Sequence, residues 1–189
     1  MKVKMIKERL YYRAPNTAVA LAVHIKGLDE PRALKEAIEK AIQHHEVLRS
    51  KIVQDKAGDV YYELLPKSII KIEIVKEVEK KDLGAFIIEQ IRIPFKISEG
   101  ELMRFFIRQQ EGYLELLLMA HHIVGDGLSY TYLIRDIMNY LENPNREEIT
   151  LPLVSFNENQ VPQKAKLNPF LKLMIRLLNK QWRKEKKLF

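Results

Sequence analysis

Two histidines stand side by side in the stretch MAHHIVGDGLS, His121 and His122, and an Asp-Gly pair, Asp126-Gly127, begins four residues after the second. An imidazole titrates close to neutrality, so it is the natural general base for taking a proton from a hydroxyl, an amine or a thiol. Asp126 is too acidic for that work at neutral pH. Its carboxylate is suited instead to accept hydrogen bonds or pair with an arginine, holding the loop that presents a histidine. Gly127 is expected to permit a tight turn where a side chain would obstruct. A single histidine beside apolar residues is ordinarily a hydrogen-bonded core side chain. Neighbours at the end of a strand point to opposite faces, however, so one can be structural while the other meets a cleft. Histidine and aspartate also bind metals, but adjacent strand histidines diverge and no third His or Cys lies at helical spacing nearby. No metal is expected.

The elements that must place these residues follow from periodicity. The run YLELLLMA, residues 113–120, ends at the histidines and pairs across Glu111-Gly112 with LMRFFIRQQ, residues 102–110, as a hairpin. TAVALAVHIKG from Thr17 reads as a strand. Asp29 is then the expected N-cap of a helix with Pro31 in its first turn and Leu34, Ala37, Ile38, Ala41 and Ile42 on one face. VLRSKIVQD and DVYYELL read as strands around a turn at Lys56 to Asp59, and IIKIEIV as a third, together giving a hairpin-rich sheet. KKDLGAFIIEQIRI is helical in pattern up to Pro94, which pushes its predecessor out of the α region. LSYTYLIRDIMNYL is a helix with Leu133, Ile137 and Leu141 on one stripe.

Composition removes several classes of function. The chain of 189 residues is 47% hydrophobic, enough for an ordinary core. With no cysteine it holds no disulfide, thiolate nucleophile or cysteine-ligated metal. The opening MKVKMIKERLYYR never forms the apolar core of a secretion signal, and no stretch approaches the length of a membrane span. A cytoplasmic location is expected. Of 32 basic and 25 acidic residues, nine and one fall within Lys164–Phe189, leaving 23 and 24 elsewhere. The net charge of +7 is therefore that of one segment, not of a basic face, and no nucleic-acid partner is expected.

HHIVGDG resembles the HHxxxDG signature of the condensation-domain and CoA-dependent acyltransferase superfamily, which includes chloramphenicol acetyltransferase and peptide-synthetase condensation domains. IKGLDEPRALKEAIEKAIQHHEVLRSKI, residues 25–52, is similar to the family's strand, G-x-L-D turn and helix leading to RHExLR. IPFKISEGELMRFFI, residues 93–107, resembles its PFDLSxGPLxR segment. The resemblance covers Val19 to Leu141. It implies an α/β (α+β) two-layer sandwich, a mixed, largely antiparallel sheet with helices packed on it, like a chloramphenicol acetyltransferase half-domain. It implies acyl transfer from an acyl-CoA or phosphopantetheinyl carrier-protein thioester to a hydroxyl or amine, with the thioester as substrate and no resident cofactor. His122 would be the general base, Asp126 the organiser and the Gly127 N–H an oxyanion donor, with His121, Arg49 and Arg104 in support. His44 departs from the arginine the family often carries there, leaving Arg49 and Arg104 as candidate partners for Asp126.

Such enzymes generally have two similar halves. Residues 1–142 are accordingly expected to be an amino-terminal subdomain, 143–166 a linker, and 167–189 a basic amphipathic helix leading to a missing second half or partner subunit. On that helix Phe170, Met174, Leu177 and Trp182 share one arc and Lys172, Arg176, Lys180 and Arg183 another. The arrangement suits either packing on the second half or attachment to an anionic membrane surface. A non-catalytic binding module is the alternative reading of a lone half.

Overall fold

The computed structural model describes residues 1–6, 8–12, 14, 17–75, 82–147 and 149–153, all within one compact unit, Met1–Ser155. The readings for the basic helix and for the linker beyond residue 153 lie outside the described residues. The chain runs β1 (Lys2–Lys4), α1 (Arg9–Tyr12), β2 (Ala18–Lys26), α2 (Pro31–His44), β3 (Ser50–Gln54), β4 (Val60–Leu64) and β5 (Lys71–Val75). It continues through α3 (Leu83–Ile91), β6 (Met103–Gln110), β7 (Tyr113–His121) and α4 (Gly127–Glu142).

Two sheets form where the sequence suggested one. The larger has the order β2-β7-β6-β5, antiparallel except for β5 beside β6. That parallel pair needs a crossover longer than a hairpin turn, which α3 supplies. The smaller is β1-β4-β3, all antiparallel, so the β3–β4 hairpin stands apart from β5. The β6–β7 hairpin turns at Gly112, whose φ of +79° favours a residue without a side chain.

Alternation along β6 and β7 divides the large sheet into two apolar faces. Met103, Phe105, Ile107, Leu114, Leu116, Leu118 and Ala120 meet α2 and α4, while Phe106, Leu117 and Met119 meet Phe86 of α3. The helices contribute the stripes read from sequence, with Leu34, Ile38, Ile42, Leu133 and Ile137 at most 2% exposed. Each such burial is worth about 1.5–3 kcal/mol. A strand buried on both faces explains why YLELLLMA is apolar at nearly every position, broken by Glu115, which is buried in an ion pair with Arg108.

Two local expectations change. The N-cap of α2 is Glu30, not Asp29, and no side chain caps it, because Pro31 at the helix start already fixes the turn. Val47 to Arg49, read as strand, belong to a single 3-10 turn, Glu46–Arg49. Beyond α4, residues 151 and 153 lie against the domain. The Leu151 N–H donates to the His44 carbonyl at 2.7 Å, the Leu151 carbonyl accepts from the Glu46 N–H at 3.1 Å, and Leu153 is 8% exposed.

Candidate active site

β7, one of the two inner strands of the large sheet, ends at His121 and so delivers both histidines to the loop that precedes α4. The His121 N–H donates to the Leu102 carbonyl at 3.0 Å, and the His122 N–H to the Thr17 carbonyl at 2.8 Å. Neighbouring strands thus fix both backbones. The side chains then part as alternation requires. The imidazole of His121 is buried, edge-on to Phe95 at 6.0 Å, and its Nδ1 accepts the Ile123 N–H at 3.1 Å. Burial first, and the neighbouring His122 second, hold its pKa below the ordinary histidine value. A neutral ring is what an Nδ1 acceptor requires.

His122 instead lines a cleft of about 730 Å³ between the end of the large sheet, the small sheet and the returning segment. Its ring lies face to face with Tyr11, centroids 4.3 Å apart and planes 5° from parallel. Its Nδ1 is buried and has no hydrogen-bond partner among the described residues. Tyr62 and Tyr130 secure the loop that follows. The Tyr62 hydroxyl donates to the Ile123 carbonyl at 2.6 Å, and the Tyr130 hydroxyl to the Gly125 carbonyl at 2.8 Å. Burial pushes both phenols well above the ordinary tyrosine value, so they stay protonated as donors.

Among the described residues, the hydrogen-bond partner of Asp126 is Ser129 and not an arginine. Asp126 caps α4, its Oδ1 accepting the Ser129 N–H at 2.9 Å and the Ser129 hydroxyl at 2.7 Å. Those two bonds hold its pKa below the usual carboxylate value, the N–H contributing most. Arg104 is turned the other way, because its better partners lie at the end of α3. It pairs with Glu101 and donates to the carbonyls of Ile93 at 3.0 Å and Pro94 at 2.8 Å, with its guanidinium 4.4 Å from the Phe95 ring centre. Phe95 in turn touches His121, so Arg104 supports that histidine from behind. Arg49 sits 3.8 Å from Glu46, whose other oxygen accepts the Leu153 N–H at 2.8 Å. Glu46 thus anchors the returning segment, with Arg49 beside it. His44, at the arginine position of the resemblance, is buried and stacks against Tyr140 of α4.

Gly127 departs from its expected reason. An added Cβ would meet nothing within 4 Å, and its φ is not positive. The sterically required glycine is Gly125, where a Cβ would come within 2.8 Å of the Ser129 Cβ. What Gly127 does offer is its N–H, at the first position of α4 and without a hydrogen bond among the described residues.

The cleft includes residues that periodicity gave no reason to choose. Glu8, Tyr11, His45 and Tyr62 line it beside His122. Tyr11 and Glu8 belong to the amino-terminal segment, which shows neither a helical stripe nor an alternation long enough to read. His45 lay within a recognised motif but next to the position that attracted attention. Its Nε2 is 3.2 Å from Asp136 of α4, and burial lowers its pKa against the opposing pull of that carboxylate.

The condensation-domain family model matches residues 11–172. Among curated proteins, a dimodular nonribosomal peptide synthase of Bacillus subtilis (strain 168) is 32% identical over 127 residues, covering 66% of this chain and 5% of its own length. Among solved structures, the condensation domain of the monacolin K polyketide synthase superposes with a TM-score of 0.69 at 10% identity, over 78% of this chain and 36% of that one. A variant of the rhizomide synthetase starter condensation domain, solved in complex with C8-CoA, gives 0.60 at 16% identity, over 74% and 35%. The chain thus spans about a twentieth of that synthase and about a third of the two solved chains. With its two-layer fold and its matched length, this chain belongs to the condensation-domain family.

Proposed function

We propose that this chain carries the histidine face of an acyl-transfer site, on which an acyl group passes from a CoA or carrier-protein thioester to a hydroxyl or amine. The observation that carries the reading is the placement of His122 on the cleft wall, with its backbone and the following loop held by Thr17, Tyr62 and Tyr130. The related domain solved with C8-CoA supports a thioester of this kind as donor.

In this mechanism His122 takes the proton from the acceptor as its oxygen or nitrogen bonds to the thioester carbon. The Gly127 N–H faces the resulting oxyanion. The carbon–sulfur bond then breaks and the proton passes from His122 to the departing thiolate. Asp126 organises the turn that aims that N–H, while His121, Arg49 and Arg104 hold the scaffold. We read the chain as an amino-terminal half, with a second half or partner subunit supplying the facing wall.

The test is acyl transfer measured in the assembled enzyme and in the chain alone. His122→Ala lowers turnover of the assembled enzyme by about 10²- to 10⁴-fold with its melting temperature maintained; unchanged turnover refutes the base assignment. The chain alone transfers no faster than its His122→Ala variant. Robust His122-dependent transfer by a monomeric sample would overturn the half-site reading.

A further inference from the structure

The imidazole of His122 lacks the partner that usually aims a working histidine. Its Nδ1 is buried and has no hydrogen bond among the described residues, whereas a histidine that moves protons is ordinarily oriented through that nitrogen by a carboxylate or a carbonyl. The carboxylate of its own motif, Asp126, is taken by Ser129. The last torsion of a histidine side chain is broad, so a fixed backbone does not by itself fix the ring. Another contact must hold its plane.

The ring of Tyr11 is in place to do so. The two centroids are 4.3 Å apart with planes 5° from parallel. Carbon atoms in contact lie about 3.5 Å apart, so these rings are slid past one another, the stacked arrangement that aromatic pairs prefer. Turning the imidazole out of that plane would drive its edge into Tyr11. Among the described residues the Tyr11 hydroxyl makes no hydrogen bond, so it is the ring and not the oxygen that meets the histidine.

The segment that carries Tyr11 is tied to the same histidine a second time. The Ala14 N–H donates to the Tyr11 carbonyl at 3.1 Å, the Thr17 N–H to the Ala14 carbonyl at 3.3 Å, and the Thr17 carbonyl accepts the His122 N–H at 2.8 Å. Residues 11 and 17 thus hold the ring and the backbone of one residue. The small sheet anchors this segment in turn. β1 places Val3 opposite Tyr62, the Met5 N–H donates to the Val60 carbonyl at 2.9 Å, and Tyr11 packs against the apolar cluster that contains Met5 and Tyr62.

We propose that Tyr11 is the positioning residue of this site, fixing the plane of the His122 imidazole by stacking where other histidine bases use a hydrogen bond. This rests on the acyl-transfer reading of the cleft. With Nδ1 on the buried side, Nε2 is the nitrogen left to take the proton of the acceptor. Its lone pair lies in the ring plane, so holding the plane aims it.

The test has one arm that needs no turnover and one that does. In the full chain, labelled in its histidines and followed by NMR, the Tyr11 ring current moves the His122 ring protons upfield, and His122→Ala identifies those signals. Tyr11→Leu and Tyr11→Met keep an apolar side chain on the small-sheet cluster and lose the upfield displacement, while Tyr11→Phe retains it. The His121 ring signals, set by Phe95, report an intact fold in all three. In the assembled enzyme Tyr11→Leu lowers kcat by about tenfold to hundredfold, the effect of a misaligned reacting group. KM is unchanged, because the loss falls on the transition state and not on binding. Tyr11→Phe restores kcat. His122 ring signals that stay in place in Tyr11→Leu, a kcat unchanged in that variant, or a Tyr11→Phe enzyme as slow as Tyr11→Leu overturns the proposal. Undiminished turnover in His122→Ala counts against the general-base reading instead, and the ring signals still report whether Tyr11 sets the plane.

Discussion

Gly125 and Gly127 lie two positions apart in the loop after the histidines and answer different needs. A Cβ on Gly125 would strike Ser129, the residue whose N–H and hydroxyl Asp126 holds, so Gly125→Ala forces the cap of α4 open. We expect it to cost about 1–3 kcal/mol in urea unfolding, the usual range for overpacking. Asp126→Ala loses the cap more directly, at about 1 kcal/mol. Gly127 is open to substitution, since a Cβ there meets nothing and the position begins a helix. Gly127→Ala therefore retains both stability and turnover. Gly127→Pro is the sharper variant. Proline suits the first helical position, and the extended backbone of Asp126, φ −119° and ψ −178°, is compatible with a following proline. The fold keeps its melting temperature while the N–H is lost. Turnover of the assembled enzyme then falls by about 10²- to 10³-fold, the effect of removing one oxyanion donor. Equal turnover in the alanine and proline variants would remove the Gly127 N–H from the mechanism.

Arg104 shows how one residue secures a whole element. The last turn of α3 and the bend beyond it present carbonyls that no helix continues to satisfy, and the buried guanidinium collects those of Ile93 and Pro94 while pairing with Glu101. Arg104→Met leaves the Glu101 carboxylate buried and unpaired, which we expect to cost about 3–5 kcal/mol. Adding Glu101→Leu to it recovers part of that loss in thermal unfolding; an additive, larger loss would show that the pair was not the cause. The sequence marked Arg104 through its motif and left it, with Arg49, as a candidate partner for Asp126, because a motif gives order along the chain and not which way a side chain turns. Elements with a full period were legible: the stripes of α2 and α4 and the β6–β7 hairpin are where periodicity placed them. Pairing between distant segments was not. The three residues of β1 carry no readable alternation, and nothing local says that β5 joins β6 in parallel while β3 and β4 join β1. The site was legible to the same degree. His121, His122 and Asp126 stood out as a motif, whereas Glu8, Tyr11 and Tyr62 reach the cleft only once the small sheet is formed.

At the scale of the molecule, one buried and one half-buried histidine tie stability to pH. His121 closes the end of the large sheet, and His45 joins the end of α2 to Asp136 on α4 beside the returning segment at Leu151. Burial is the largest cause in both and lowers both pKa values, with His122 adding to the effect at His121 and Asp136 opposing it at His45. In the unfolded chain each titrates near the ordinary value of about 6.5. Above that pH both states hold these rings neutral and their contribution to stability is complete. As the pH falls below about 6.5 the unfolded chain takes up protons that the folded chain resists, so folding loses free energy with each step down. Asp126, whose pKa is also lowered, adds a second loss on the acid side of about pH 4, where the unfolded carboxylate becomes protonated first. The urea midpoint of the chain therefore declines from pH 7.5 to pH 5.0, before any carboxylate has titrated far. His121→Asn keeps an acceptor for the Ile123 N–H but no proton to bind, so its midpoint starts lower and declines less steeply over that interval. A wild-type midpoint that stayed flat between pH 7.5 and 5.0, or a variant with the same slope as the wild type, would show that burial of His121 does not govern the stability of this end of the fold.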